Sequence, residues 1–157
     1  MQYRMKTHQL SEKQIEEILK REQVGTLATI NEDGSPYATP IHFVYDNGKI
    51  YMHGLPAGQK VENIRRNGSV SFMVYHMNGL LLDENELPCD TNTAYQSVII
   101  SGRASFLTEL NDKKSALELI VKKYTPQLSD KPLPEKMVKG TAVIMVDITS
   151  VSGKYWE

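Results

Sequence analysis

One segment near the start of the chain has helical periodicity. Ile15 and Ile18 recur at the spacing of a single helix face, so this face is predicted to pack against a core. Ser11 and Gln14 stand in the positions of a capping box, in which each side chain bonds the other residue's backbone N–H group. The pattern therefore predicts a helix over residues 11–22.

Beyond that helix the apolar positions alternate with a period of two, which is typical of strands. Tight-turn signals follow the first predicted strand, at Asn31–Gly34, and the second, at Asp46–Gly48. Pro40 indicates an edge strand, a bulge or an irregularity, and Gly102 indicates a bulge. The predicted strands cover residues 24–30, 36–45, 49–53, 69–76, 95–107 and 141–148.

Helical patterns return at residues 57–66 and 111–124, with one further turn within 132–139. The segment 78–93 is polar and irregular, so it is predicted to leave the sheet. No internal repeat, linker or low-complexity tract divides residues 1–157, which predicts a single domain. Six strands with two or three inserted helices predict a mainly β fold, a six-stranded antiparallel barrel flanked by helices.

Composition narrows the functional classes. Hydrophobic residues make up 40% of the chain and charged residues 24%, which is typical of a globular domain. The 18 basic and 19 acidic residues leave a formal net charge of -1, which argues against a broad nucleic-acid-binding face. No apolar run has the length of a membrane helix and no signal-peptide pattern is present, so we expect a cytoplasmic protein.

The segment from residue 50 to residue 66 carries the clearest local signal for binding. A short strand is interrupted at Gly54 and Pro56 and is followed by a helix with Lys60 near its start. Backbone N–H groups and the positive end of the helix dipole favour an anion at such a helix start. The spacing matches neither a P-loop nor a dinucleotide fingerprint, so the pattern alone predicts only an anion site.

No catalytic or metal motif is present in the sequence. His42, His53 and His76 lack metal-ligand spacing, and the single cysteine, Cys89, supports neither a disulfide nor a cysteine-rich metal site. No nucleophile elbow or pair of carboxylates is present. If the protein is an enzyme, a bound cofactor is expected to supply the reaction chemistry.

Five motifs in a fixed order resemble those of the pyridoxamine-phosphate-oxidase-like FMN-binding split barrels, and most closely the Nim-type nitroimidazole-resistance and related flavin-nucleotide-binding proteins. They extend over nearly the whole chain: an N-terminal arm and helix with Val24–Ala28 and Asp33–Gly34; Tyr37–Ile41; Ile50–Gly54 with Gly58–Asn63; Cys89–Asp90 and Tyr95–Val98 through Gly102–Ala104; and Val151–Lys154 with Trp156.

This resemblance implies a split barrel of Greek-key type that forms a homodimer with FMN at the subunit interface, FAD being the alternative cofactor. It assigns Lys60 to the cofactor phosphate, with Gly58 and Gln59 providing neighbouring donors. Many relatives have an arginine before this lysine, so Gln59 removes one charge and is expected to weaken the phosphate contact.

The resemblance also assigns residues along the rest of the cofactor. The positions along the flavin ring are Thr39, Pro40 and Ile41. Those near the ribityl chain and the ring edge are His53, Gly54 and Leu55. Those approaching the ring or the phosphate from a neighbouring strand are Gln96, Ser97 and Val98. Trp156 is expected to cover the cofactor from the partner subunit, and Arg4 to lie on the substrate side.

The expected activity is an FMN-dependent reduction of a small planar acceptor, such as a nitroimidazole, with His53 as a hydrogen-bonding or proton-donating residue. Three alternatives stay open. The protein could be a flavin carrier or sensor without turnover, or a pyridoxamine 5'-phosphate oxidase, although residues 151–156 lack the arginine and histidine expected for that substrate. It could also hold a deazaflavin or a haem.

Overall fold

The computed structural model describes residues 6–157, so Arg4 lies outside the described residues. Its helices are α1 (Glu12–Arg21), α2 (Gln59–Arg66), α3 (Leu110–Tyr124) and α4 (Glu135–Gly140). Its strands are β1 (Val24–Ile30), β2 (Pro36–His42), β3 (Val44–Asp46), β4 (Lys49–Gly54), β5 (Ser69–Leu81), β6 (Asn92–Phe106) and β7 (Ala142–Trp156). Short 3-10 turns occupy Pro88–Asp90 and Pro126–Leu128.

Helix α1 begins at the predicted capping box. The backbone N–H of Ser11 donates to Gln14 Oε1 at 2.9 Å, and the N–H of Gln14 donates to Ser11 Oγ at 3.4 Å. Ile15, Ile18 and Leu19 are buried, and the helix contacts β3 and β6. The helix therefore packs its apolar stripe against the sheet, as the periodicity predicts.

All strand pairs are antiparallel, and the strand order is β2-β1-β5-β6-β7-β4-β3. The two outermost strands, β2 and β3, follow each other in the chain, so the sheet curls round into a barrel. Its split lies between β2 and β4, which contact each other without forming a ladder. Pro40 thus lies on an edge strand, where its missing N–H costs no ladder hydrogen bond.

The mainly β class with flanking helices is confirmed, but the sheet has seven strands rather than six. The predicted strand 36–45 is divided at Phe43, which belongs to neither β2 nor β3. Its side chain is fully buried, and its backbone N–H donates to Tyr124 Oη at 2.9 Å. A side chain from a distant helix thus takes the place of a strand partner, and the strand bends there.

The hairpin of β5 and β6 is longer than predicted. Part of the segment 78–93 is strand, because β5 continues to Leu81 and pairs with residues from Asn92 onward, past a bulge next to Gly79. The bulge next to Gly79 was not predicted, whereas the bend or bulge predicted at Gly102 is confirmed as a bulge between Ser101 and Gly102. A Cβ atom at Gly102 would lie 2.6 Å from the backbone oxygen of Asp147, so only glycine fits this crossing.

The core fills the interior of the barrel. Phe43 and Phe72 meet edge to face with ring centroids 4.8 Å apart. Fully buried aliphatic side chains from the helices and strands surround them: Ile18, Leu19, Leu27, Ile50, Met52, Val98, Ile100 and Ile144. Among residues 6–157, none of the helices has both the length and the apolarity needed to cross a bilayer.

Candidate functional site

The loop from Gly54 to Lys60, called the anion loop here, joins β4 to α2 and brings Lys60 back over the end of the strand. A Cβ atom at Gly54 would lie 3.9 Å from Lys60 Nζ. Gly58 has φ 120°, a backbone conformation that residues other than glycine rarely adopt. The loop thus depends on glycine where the chain turns into the helix.

The N-terminus of α2 has no side-chain cap among the described residues. The first intrahelical donors are the N–H groups of Val61 and Glu62, which both bond Gly58 O at 2.9 and 3.1 Å. The N–H groups of Gln59 and Lys60 precede them, at the helix end where an anion is favoured. With the Lys60 ammonium in the same helix turn, these groups form a cationic site of the kind that binds a phosphate.

The side chain of Gln59 faces the protein instead of the loop. Its amide nitrogen lies 2.9 Å from Asn63 Oδ1 and 3.2 Å from Asn31 Oδ1. Asn63 is fully buried and also donates to Thr29 Oγ1 at 3.0 Å. Gln59 therefore anchors the first turn of α2 and leaves its backbone N–H as the donor available to an anion.

Asn63 and Asn31 were missed in the sequence reading. Asn63 interrupts the apolar face of α2 at the position four residues after Gln59, which is the spacing of side chains that meet on a helix. That spacing was the available signal, because a polar residue on a buried helix face requires a partner.

His53 lies on the outer face of β4, next to Lys60 and His42. Burial lowers the pKa of His53 first, and the neighbouring His42 and Lys60 lower it further. The imidazole is therefore disfavoured as a cation although the residue reaches solvent. Among residues 6–157, no group of three His, Cys, Asp or Glu side chains is arranged to hold a metal ion.

His42 is a residue of this site that the sequence reading missed. His42 ends β2, and its proximity lowers the pKa of His53 on β4. The ring of His42 contacts that of Tyr124 edge to face, with centroids 5.0 Å apart. The two histidines thus lie near each other at the split of the barrel, where β2 and β4 are not joined by a ladder.

The predicted ring-contacting residues of β2 lie along the same split. Pro40 is exposed on the outer face, and Ile41 is buried in the core. Thr39 points inward like Ile41, and its buried hydroxyl has no hydrogen-bond partner within the described part of the chain. At the rim, Leu55 is 80% exposed. The outer side of β2 therefore offers an unpaired backbone edge beside apolar side chains.

The remaining predicted residues lie at the end of the sheet opposite the anion loop, where Tyr95 pairs with Trp156. This end is called the far end here. Gln96 Oε1 accepts a hydrogen bond from Arg21 at 3.0 Å. Ser97 lines a groove of about 340 Å³ between α1 and strands β6 and β7, together with Lys154. Val98 is fully buried, so its side chain belongs to the core, and the ring of Trp156 lies 4.7 Å from that of His8.

The two groups of predicted residues are separated within one chain. Gly54 pairs with Ala142 at the start of the 15-residue strand β7, whereas Trp156 ends that strand and pairs with Tyr95. A strand of this length extends over roughly 45 Å of backbone. One molecule on its own therefore does not bring the anion loop and the far-end residues around the same small ligand.

An exposed apolar surface lies on the outside of the barrel between these two groups. It consists of five residues of β1, β5 and β6, each 41% to 50% exposed, and is called the outer apolar face here: Val24, Met73, Tyr75, Met77 and Ile99. The strand register joins Met73 to Thr26 on one side and to Ile99 on the other, so the residues form one continuous surface.

Comparison with known structures identifies the same fold in several solved proteins. A candidate 5-nitroimidazole antibiotic resistance protein from Bacteroides thetaiotaomicron has a TM-score of 0.78 at 24% identity, with 94% of this chain and 86% of that chain covered. The FAD and heme binding protein from Mycobacterium smegmatis has a TM-score of 0.86 at 18% identity, covering 96% and 74%. The flavocytochrome Anf3 from Azotobacter vinelandii has a TM-score of 0.81 at 21% identity, covering 94% and 68%.

The sequence itself matches one family model. No curated protein sequence matches the chain. The model of the pyridoxamine 5'-phosphate oxidase family matches residues 11–155, which include every strand and helix of the barrel except the last residue of β7. The resemblance inferred from the ordered motifs is thereby confirmed, and the chain belongs to the pyridoxamine 5'-phosphate oxidase family.

Proposed function

We propose that the protein is a flavin-binding oxidoreductase that holds FMN and reduces a small planar acceptor. The observation that carries this proposal is the anion loop, where the uncapped start of α2 and Lys60 form a cationic site in a barrel of this family. The flavocytochrome structure and the FAD and heme binding structure support a flavin as the ligand class.

The residues present fit such a cofactor. Lys60 and the N–H groups of Gln59 and Lys60 would bind the phosphate, since charge-assisted hydrogen bonds are the strongest that a loop offers. The open edge of β2, with Pro40 and the nearby Leu55, would lie along the ring, whose edge carries hydrogen-bonding atoms and whose faces are apolar. When bound, FMN supplies the redox chemistry, and the protein supplies binding and orientation.

A homodimer would complete the site. The outer apolar face is self-complementary in chemistry, and pairing two copies across it would cover Met73, Tyr75 and Ile99. A twofold arrangement would also carry the far-end groove, with Ser97 and Trp156, towards the anion loop of the other copy. This arrangement accounts for the wide separation of the two predicted groups within one chain.

The acceptor and the finer cofactor identity are part of the proposal. FMN is favoured over FAD because the anion loop carries a single lysine, which matches one phosphate group rather than a diphosphate. The role of His53 as a proton donor to the acceptor stays a prediction, and so does the cytoplasmic location. A flavin carrier without turnover is the principal alternative, since the described residues hold no paired catalytic acid and base beside the loop.

The first experiment is the absorption spectrum of the purified protein, with mass identification of the released ligand. The proposal predicts flavin bands and FMN as the released molecule. The photoreduced protein is then mixed with a nitroimidazole and with a quinone. Oxidation faster than that of free reduced FMN supports an oxidoreductase, whereas rates equal to those of free FMN support a carrier.

A further inference from the structure

A buried amide network joins the first turn of α2 to the turn between β1 and β2. Its centre is Asn63, whose side chain is fully buried. The amide nitrogen of Asn63 donates to Thr29 Oγ1 at 3.0 Å and to Asn31 Oδ1 at 2.9 Å. Its amide oxygen accepts from Gln59 Nε2 at 2.9 Å and from Arg66 at 3.0 Å. All four hydrogen bonds that a side-chain amide can make are therefore formed away from solvent.

The turn that receives these bonds is itself closed by hydrogen bonds. The N–H of Asn31 donates to Ser35 O at 2.8 Å, and its amide nitrogen donates to Ser35 Oγ at 3.0 Å. Ser35 Oγ in turn donates to Asp33 Oδ1 at 2.6 Å. Asn31 Oδ1 accepts from both Gln59 and Asn63. This shared acceptor is therefore held in place by the bonds of its own turn.

Gln59 links the network to the anion loop. Its side-chain nitrogen lies 3.2 Å from Asn31 Oδ1 and 2.9 Å from Asn63 Oδ1, while its backbone N–H belongs to the open helix start. Because Gln59 and Lys60 are the first two residues of α2, fixing the Gln59 side chain restricts the direction of both N–H groups. An anion then meets donors that are already ordered, which lowers the entropic cost of binding.

The network does more than attach the helix to the sheet. Val61 and Ile64 are 1% and 4% exposed, so apolar packing alone holds α2 against the barrel. Burying the Asn63 amide costs free energy unless each of its partners is correctly placed. A fully satisfied buried network of this kind fixes one arrangement of the groups that it joins.

We propose that Asn31, Gln59 and Asn63 are positioning residues for the ligand phosphate. Their side chains hold the first turn of α2 so that its N–H groups face the anion, and they do not contact the ligand themselves. The inference rests on the proposed function. It changes the role of Gln59, which the family resemblance gives only as a lost charge. Gln59 instead contributes to the preference for FMN over riboflavin through the position of the helix start.

The test measures how much the phosphate adds to binding. FMN and riboflavin differ only in the phosphate, so the ratio of their dissociation constants, measured by fluorescence titration, isolates the contribution of the anion loop. Gln59→Met removes the side-chain donor without a change in charge, and Asn31 and Asn63 still bond each other. We expect FMN affinity to fall by about 2- to 10-fold and riboflavin affinity to change by less than about twofold.

A second variant separates the network from Gln59 alone. Asn31→Ala removes the acceptor on the opposite side of the network, in the turn between β1 and β2. It should also lower FMN affinity and leave riboflavin affinity nearly unchanged. In the double variant the two losses should not multiply, because both changes break the same hydrogen bond. A double loss equal to the product of the single losses would contradict the network.

The control variant loses stability outside the network. Ile18→Val removes one buried methyl group from α1, which packs against β3 and β6. It should leave the ratio of the two dissociation constants unchanged, and thermal melting of each variant gives its loss of stability. A ratio altered by Ile18→Val as much as by Gln59→Met would trace the effect to general destabilisation and refute the positioning role.

Two results would overturn the inference while the proposed function survives: Gln59→Met weakens FMN and riboflavin equally, or it weakens neither. If the unaltered protein binds neither flavin, the proposed function is contradicted, and a measurement without ligand decides. The N–H groups of Val61 and Glu62, which bond Gly58 O, report the order of the first turn by hydrogen exchange. Faster exchange in Gln59→Met supports the positioning role, and unchanged exchange refutes it.

Discussion

The two ends of strand β7 carry contrasting clusters of charged side chains. At the far end, Glu22 lies 3.0 Å from the His76 ring and 2.9 Å from Arg21 Nε, while Arg21 also donates to Gln96. At the anion loop, the charged groups of residues 6–157 that shift the pKa of His53 are His42 and Lys60, and both lower it. Charges that the protein pairs internally serve its structure, whereas charges left without a counter-ion are available for a ligand.

The largest effect is expected from preventing the proposed dimer, because the anion loop of one copy would then no longer lie near the far end of the other copy. The double variant Met73→Glu with Ile99→Glu places charges on the outer apolar face, where both side chains are exposed in the single chain. We expect the proposed dimer not to form and FMN affinity to fall by more than about 100-fold, because a charge at an interface core is strongly unfavourable. Light scattering and flavin titration measure both effects.

A control with the same chemistry is Leu128→Glu, at an exposed apolar position in a 3-10 turn outside this face. It should leave both the oligomeric state and flavin affinity unchanged. A double variant that stays dimeric and binds FMN normally would show that the outer apolar face is not the interface.

Removing the lysine from the anion loop is the next largest change. Lys60→Ala deletes one charge-assisted phosphate contact and should weaken FMN binding by about 1.5–3 kcal/mol, roughly 10- to 150-fold. Isothermal titration calorimetry gives the affinity. Lys131→Ala, at an exposed lysine between α3 and α4, is the control. Equal affinities for both variants would remove Lys60 from the phosphate site.

The next prediction concerns the contribution of the bend at Phe43 to the stability of the fold. Tyr124→Phe removes the hydroxyl that bonds the N–H of Phe43, so a buried backbone group loses its partner. The free energy of unfolding should decrease by about 1–3 kcal/mol in urea titrations. Tyr37→Phe on β2 is the comparison and should change stability by less than about 0.5 kcal/mol. Similar values for the two variants would contradict the role given to Tyr124.

The smallest effect is expected at the far end. Glu22→Gln removes the carboxylate that pairs with Arg21 and His76. The side chains of Arg21 and His76 are 50% and 39% exposed, and that of Glu22 is 17% exposed. Exposed ion pairs contribute little, so the loss of stability should stay below about 1 kcal/mol. Urea titration measures it. A loss of several kcal/mol would mean that the far end depends on its charges more strongly than the geometry indicates.

Elements with strong local signals were predictable from the sequence. Helix α1 has a capping box, and β1 is a strand-like run followed by a turn signal, so their bounds agree with the structure within one or two residues. Such features depend on neighbours in the chain, which a sequence displays directly.

Features that depend on distant residues were not predictable in this way. The break at Phe43 results from Tyr124, which is 81 residues away. The extension of β7 to Trp156 depends on pairing with β6, since its exposed polar residues alternate only weakly. The place of His42 near His53 likewise depends on how β2 meets β4 at the split, and the inward position of Gln59 depends on the buried Asn63.

The most direct test of the central claim is a crystal structure of the protein grown with FMN. The account predicts a homodimer with the phosphate against Lys60 and the first N–H groups of α2. It predicts the ring along the edge of β2, next to Ser97 and Trp156 of the partner subunit. A phosphate bound away from the anion loop, or a ring enclosed entirely within one chain, would contradict it.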